Sequence, residues 1–228
     1  MSISFPPPSL LNADAVGASF TDSLDRAERY DAPYAHWTLT DIFPDEVVAA
    51  LRALPFPVPA LDGVSGAREL HNNTRRYFDT ENIAQHPVCA ALAEAFQSPQ
   101  LAGVIHQATG APLEDCFLRI EFAQDADGFW LQPHTDLGVK KMTLLYYLAD
   151  GEEQADLGTD IYRPDQSWAK RSSFESNSAL VFVPSDITWH GFEPRTIAGV
   201  RKSVIINYVS QDWRAREQLS YPDQPIRL

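Results

Sequence analysis

Leu131-Gln132-Pro133-His134-Thr135-Asp136 is the stretch that organises the chain. His134 and Asp136 stand two residues apart, and in a strand positions i and i+2 project to the same side. One strand end can therefore present an imidazole and a carboxylate to one metal ion. A second imidazole has to come from another strand. Trp189-His190-Gly191, after the apolar run 179–184, offers it. Two neutral imidazoles and one carboxylate suit Fe(II) and leave three coordination positions open. Zinc binds the same groups, so the residues alone do not name the metal. His-x-Asp by itself is a weak signal; joined to His190 and to Arg201 shortly after, it becomes a strong one. His36, His71, His86 and His106 lack a carboxylate at matching strand spacing and read as surface or locally bonded side chains.

From Cys116 onward the pattern is one of strands. Residues 117–122, 142–148, 179–183 and 203–209 are short and rich in β-branched or aromatic side chains. The first half reads differently. Residues 1–33 are weakly specified: Phe5-Pro6-Pro7-Pro8 reads as an extended arm, and a short charged helix is expected over 23–30. A first strand is expected over 35–39. A helix over 40–54 has Pro44 in its first turn and Val47, Leu51 and Leu54 at helical spacing. Residues 55–70 read as a loop. The polar segment 71–78 reads equally as a substrate-facing strand or lid and as an exposed edge. Two helices follow over 87–96 and 99–108, the second capped by Ser98 and ended by Gly110. Helices first and strands after predict an α+β chain whose sheet closes as a barrel or double-sheet jelly roll. We expect one domain over 1–228: helical support and a substrate lid in 1–114, a strand core in 115–210 and a tail in 211–228.

Charge excludes some functions. The 228 residues carry a net charge of −13, which disfavours nucleic acid and anionic membranes as partners. An average charge still leaves room for a local basic pocket. Cys89 and Cys116 make no disulfide framework, as expected of a reduced, cytoplasmic protein. The first ten residues lack a basic and an apolar region, so no secretory signal is expected. No apolar run approaches the roughly 20 residues of a spanning helix.

Arg201-Lys202-Ser203-Val204-Ile205-Ile206-Asn207-Tyr208 alternates. Arg201, Ser203, Ile205 and Asn207 share one face. An inward guanidinium beside a hydroxyl is a carboxylate receptor, because its planar fork meets both oxygens. A buried arginine needs an anion, which is either a ligand or a protein carboxylate.

Residues 115–210 resemble the 2-oxoglutarate/Fe(II)-dependent dioxygenases, most closely their prolyl-4-hydroxylase-like branch. The matching pieces are Leu118-Arg119-Ile120-Glu121-Phe122, Pro133-His134-Thr135-Asp136, Thr143-Leu144-Leu145-Tyr146-Tyr147-Leu148, Gly158-Thr159, Leu180-Val181-Phe182-Val183-Pro184, Trp189-His190-Gly191-Phe192-Glu193-Pro194 and Arg201-Lys202-Ser203. The resemblance implies a double-stranded β-helix core, jelly-roll or cupin-like, buttressed by N-terminal helices. It makes His134, Asp136 and His190 the iron ligands. It assigns Arg201 to the C5 carboxylate of 2-oxoglutarate, with Ser203 as second donor and the Tyr147 hydroxyl on the same carboxylate. Phe122 stands where many relatives have a tyrosine, and is expected to pack against the co-substrate without a hydrogen bond. Fe(II), 2-oxoglutarate and O2 are the implied cofactors, with ascorbate for maintenance. Asp136 favours hydroxylation over halogenation, since related halogenases have Gly or Ala there, and leaves desaturation and cyclisation open. The implied activity is hydroxylation of an unactivated C–H of a small molecule, amino-acid-like or a natural-product intermediate. Hydroxylation of a peptide prolyl residue is the alternative, and a non-catalytic metal-binding module is the third reading. Substrate contacts are expected from Asn207, Gln132, Trp130, Asn72, Asn73, Arg75, Arg76 and Arg163, with contributions from Asp160 and Tyr162. Arg75 or Arg163 would suit an anionic or amino-acid-like molecule.

Overall fold

The computed structural model describes residues 9–60, 66 and 75–228, and every structural statement below concerns those residues. The expectations for 5–8 and 71–74, including Asn72 and Asn73, lie outside them. The first element corrects the sequence reading. Helix α1 (Ala13–Asp25) occupies the stretch read as weakly specified, while 28–30 form strand β1 (Glu28–Tyr30) instead of the end of a charged helix. The reason is local. Val16, Phe20 and Leu24 recur every fourth residue and are buried, and the Asn12 side chain accepts the Ala15 N–H at 2.9 Å.

Strand β2 (His36–Thr40) and helix α2 (Asp45–Arg52) follow, Pro44 sitting just outside the helix and two acidic residues in its first turn. Then come β3 (Arg76–Tyr77), α3 (Thr80–Gln85), α4 (Pro87–Gln97) and α5 (Pro99–Thr109). The Ser98 hydroxyl accepts the Leu101 N–H at 3.2 Å, and Gly110 ends α5 at φ 74°, the left-handed region where a Cβ is costly. The strand half consists of β4 (Phe117–Asp125), β5 (Leu131–His134), β6 (Lys140–Tyr147), β7 (Asp160–Tyr162), β8 (Trp168–Arg171), β9 (Ser178–Phe182), β10 (His190–Phe192) and β11 (Arg201–Val209).

Two antiparallel sheets result. The larger runs β1-β2-β9-β6-β11-β4-β3, the smaller β5-β10-β7-β8. Both faces of the larger sheet are covered, so its central strands are apolar on both sides. Leu144, Tyr146, Val181, Val204, Ile206 and Tyr208 face the helices, and the Tyr208 hydroxyl donates to the Phe96 carbonyl of α4 at 2.6 Å. Leu145, Tyr147, Leu180 and Phe182 face the smaller sheet and meet Ile161, Phe174 and Phe192. The segment after β11 is stitched back onto β4: Ile226 is fully buried and exchanges backbone hydrogen bonds with Asp115 and Cys116. Cys89 and Cys116 are free and buried, and burial pushes their thiols up to about 12 and about 11. No helix of the described residues is long and apolar enough to cross a membrane.

The smaller sheet is tied together by Asp160 of β7. Its carboxylate accepts Arg195 Nη1 at 2.7 Å, Arg171 Nε at 2.8 Å, Trp168 Nε1 at 3.1 Å and the Glu193 N–H at 2.8 Å. This corrects the expectation that Asp160 meets substrate: it is fully buried and its oxygens are engaged within the sheet. Burial alone would raise its pKa, but these donors outweigh burial and hold the carboxyl below the usual carboxylate value. A depressed pKa contributes stability that is present above the unfolded-state value, about 3.9, and lost as pH falls through the folded one. Asp160→Asn is expected to cost about 3 kcal/mol at neutral pH, because it leaves buried guanidinium groups without their anion. Urea unfolding followed from neutral to acidic pH should show this gap narrowing on the acid side.

Candidate metal centre and anion pocket

The candidate metal centre is built on the pairing of β5 with β10. His134 lies directly opposite His190, and their ring centroids are 4.4 Å apart. Gly191 permits this approach: a Cβ there would lie 2.8 Å from the Leu131 carbonyl oxygen. His134 Nδ1 is 2.9 Å from the Gln132 carbonyl, and His190 Nδ1 is 3.0 Å from the Thr188 carbonyl. A carbonyl only accepts, so in a neutral ring each Nδ1 carries the proton and each Nε2 keeps its lone pair for a metal. Donor atoms of His134, Asp136 and His190 all lie within 4.8 Å of one another.

Asp136 is held from two sides. Lys140 Nζ donates to Oδ1 and the Thr143 hydroxyl to Oδ2, both at 2.7 Å. Each oxygen retains lone-pair capacity for a metal. The Thr143 hydroxyl, its proton directed at Asp136, accepts Asn207 Nδ2 at 3.0 Å. Asn207 Oδ1 in turn accepts from Arg119 at 3.3 Å, and Arg119 pairs with Glu121 at 2.5 Å. The Arg119 guanidinium lies 4.8 Å from the Tyr77 and Trp213 ring centroids. A row of bonded, buried groups thus fixes the carboxylate from behind. The donor set fits a ferrous ion: two neutral nitrogens, one carboxylate and no thiolate.

The same cavity continues to Arg201. Arg75, Asp125, Thr159, Phe192, Arg201 and Ser203 are in its wall. Arg201 donates through Nη1 to Asp125 Oδ2 at 2.6 Å and through Nε to the Leu157 carbonyl at 2.7 Å. Its guanidinium carbon is 4.8 Å from the Phe192 ring centroid and 5.1 Å from that of Phe174. Arg75 Nη1 reaches the other oxygen of Asp125, also at 2.6 Å. Burial pulls the Arg75 pKa down, but the nearby carboxylates of Asp125 and Glu121 outweigh it, so the group is held above its usual value.

The structure sorts the other residues singled out in the sequence. Ser203 is buried in the cavity wall, opposite Tyr147 on the neighbouring strand. Tyr147 points between the sheets, with its hydroxyl bonded to Thr159 Oγ1 at 2.8 Å and Ser172 Oγ at 2.9 Å. Burial pushes its phenol up, so it stays neutral. Phe122 is a correction. It faces the helices, 5.6 Å from Phe56 ring to ring, because the alternation of β4 turns Glu121, Ala123 and Asp125 inward instead. Asn207 is fully buried behind Thr143 and does not line the cavity. Gln132 is exposed, and Trp130 lies over the backbone of Gly66, where a Cβ would come within 2.2 Å of the ring. Arg163 is exposed and bonds the Trp168 carbonyl at 2.7 Å, away from the cavity. Asp125, Glu121, Lys140, Thr143 and Thr159 were not foreseen. For Asp125 the signal was present: it continues the 121/123 face of a strand, but the following Asp-Gly pair reads as a turn.

No protein-family model and no curated protein sequence matches the chain. Solved structures match by fold. A prolyl-4-hydroxylase from Pseudomonas putida aligns at TM-score 0.55 and 20% identity, over 92% of this chain and 99% of that one. A prolyl 4-hydroxylase from Phytophthora capsici aligns at TM-score 0.57 and 17% identity, over 99% and 71%. HygX from Streptomyces hygroscopicus, solved with nickel, 2-oxoglutarate and hygromycin B bound, aligns at TM-score 0.52 and 16% identity, over 78% and 85%. The chain therefore has the mixed helix and antiparallel-sheet fold of prolyl-4-hydroxylase-like 2-oxoglutarate oxygenases.

Removing the Thr143 hydroxyl should loosen the metal ligand it orients. Thr143→Val is expected to weaken Fe(II) binding about 10- to 100-fold, the usual range for groups that hold metal ligands in place. Competition against a chelator under anaerobic conditions measures it; unchanged affinity would show that Asp136 is positioned without Thr143.

Proposed function

We propose that this chain is a 2-oxoglutarate- and Fe(II)-dependent oxygenase, a single domain with a double-stranded β-helix core, acting in the cytoplasm on a small polar molecule. One observation carries the reading: a His-Asp-His donor set and an arginine-centred anion pocket lie in the wall of one cavity. His134, Asp136 and His190 would hold the metal through two Nε2 atoms and one carboxylate oxygen. Arg201 would receive the distal carboxylate of 2-oxoglutarate, aided by Ser203 and by Thr159, which Tyr147 orients. When bound, Fe(II) and 2-oxoglutarate supply the oxidising chemistry, consuming O2 and releasing succinate and CO2 as a substrate C–H becomes C–OH.

The chain's own residues do the rest. Leu145, Ile205 and Phe192, the last beside Arg201, form apolar walls that exclude water from the reacting end, and Phe182 backs the His190 ring at 4.9 Å. Lys140 and Thr143 fix the carboxylate of Asp136. Because Asp136 fills the third ligand position, hydroxylation is the expected outcome. A small substrate is supported by the lining: charged groups such as Glu121 and Asp125, both buried, and Arg75, whose side chain is 9% exposed, suit a compact polar molecule better than an apolar one. The likeness to HygX supports the same reading, and the likeness to prolyl hydroxylases supports the peptide alternative.

Anaerobic addition of Fe(II) and 2-oxoglutarate should give a weak visible charge-transfer band that vanishes in His134→Ala/Asp136→Ala. Its absence from folded wild-type protein would contradict the proposal. Arg201→Ala should raise the 2-oxoglutarate Kd about 10- to 100-fold, as expected for charge-assisted hydrogen bonds worth about 1.5–3 kcal/mol, while Fe(II) affinity barely moves. Substrate-stimulated succinate formation, read with product mass, names the substrate.

A further inference from the structure

Resting on the reading of Arg201 as the dicarboxylate anchor, we propose that Arg75 belongs to the co-substrate pocket, as the counter-cation that keeps Asp125 from neutralising Arg201. The arrangement is a buried triad. Asp125 has one oxygen on Arg201 Nη1 and the other on Arg75 Nη1, each at 2.6 Å, and all three side chains are at most 9% exposed. One carboxylate shared by two guanidinium groups leaves a net charge of +1. A buried Asp125–Arg201 pair alone would be neutral, and its arginine would have little attraction left for a ligand carboxylate.

The other charges nearby are matched among themselves. Lys140 is on Asp136 at 2.7 Å and Arg119 on Glu121 at 2.5 Å, while Arg171 and Arg195 are balanced by two carboxylates, Asp160 at 2.8 and 2.7 Å and Asp156, 2.5 Å from Arg171. The cation surplus of the anion pocket therefore sits on the Arg75–Asp125–Arg201 triad. A single ligand carboxylate brings the triad to neutrality. Leu157 and the two aromatic rings already hold Arg201 in place, so the part left to Arg75 is electrostatic.

The charge count makes a prediction that a structural ion pair does not. Arg75→Met takes the triad from +1 to 0 and should weaken 2-oxoglutarate binding about tenfold or more, with Fe(II) affinity kept. Asp125→Asn takes it to +2 and should tighten binding about threefold or more. The double variant Arg75→Met/Asp125→Asn returns to +1 and should come back to within about threefold of wild type. Anaerobic titration of the charge-transfer band at saturating Fe(II) measures all four proteins. Equal affinity in Arg75→Met, or a double variant no better than Arg75→Met, would overturn the inference. If Arg75→Met fails to fold, Asp125→Asn alone decides: equal or weaker binding overturns it. A wild-type protein with no band would instead count against the oxygenase reading itself.

Discussion

The β5–β10 register is the constraint on which the site depends. Antiparallel pairing puts His134 opposite His190, and only a glycine at 191 lets the two backbones lie this close, with the rings 4.4 Å apart. Everything else supports that pairing. The carbonyls of Gln132 and Thr188 set the two imidazoles in the same tautomer, so both present a lone pair inward. The strands are short and carry few apolar side chains, so their own hydrogen bonds hold them weakly. Asp160, one strand over, gathers donors from β8 and from the residues after β10 and holds the smaller sheet together.

Behind the His134, Asp136 and His190 cluster the larger sheet works as a rigid plate. Alternation along β4, β6 and β11 separates two tasks residue by residue. Leu144, Tyr146, Val204 and Ile206 bury apolar surface against the helices, while Thr143, Ser203 and Arg201 turn to the cavity. A slip of one residue in any of these strands would exchange the two sets. The polar groups behind the cavity wall are bonded to each other and to it: Arg119 to Asn207 to Thr143 to Asp136. Such a row stays put only if each member is satisfied, which is why Asn207 acts from behind and not as a substrate contact.

Much of this was legible in the sequence. The ligand pair two residues apart, the second histidine after an apolar strand and the alternating strand from Arg201 each follow from a periodicity of two. Helices α4 and α5 were marked by Pro87, Ser98 and Gly110. Helix α1 was missed because its large apolar residues, Val16, Phe20 and Leu24, are spaced out among small and polar ones, although Asn12 marks its start. Strands β7 and β8 were missed because Asp160-Ile161-Tyr162 and Trp168-Ala169-Lys170-Arg171 are too short to show an alternating pattern; pairing defines them. The partners of Arg201 could not be read, since Asp125 and Arg75 come from distant parts of the chain. Phe122 was assigned to the cavity by position in a family pattern, and the parity of β4 places it on the opposite face.

The central claim is that His134, Asp136 and His190 hold one iron ion at the head of a cavity whose other end receives a carboxylate. Crystals grown anaerobically with Fe(II) and 2-oxoglutarate, measured above and below the iron absorption edge, test it directly. The account predicts one anomalous peak at bonding distance from both Nε2 atoms and an Asp136 oxygen, with the distal carboxylate on Arg201. A peak elsewhere, none at the triad, or a dicarboxylate bound away from Arg201 would contradict it.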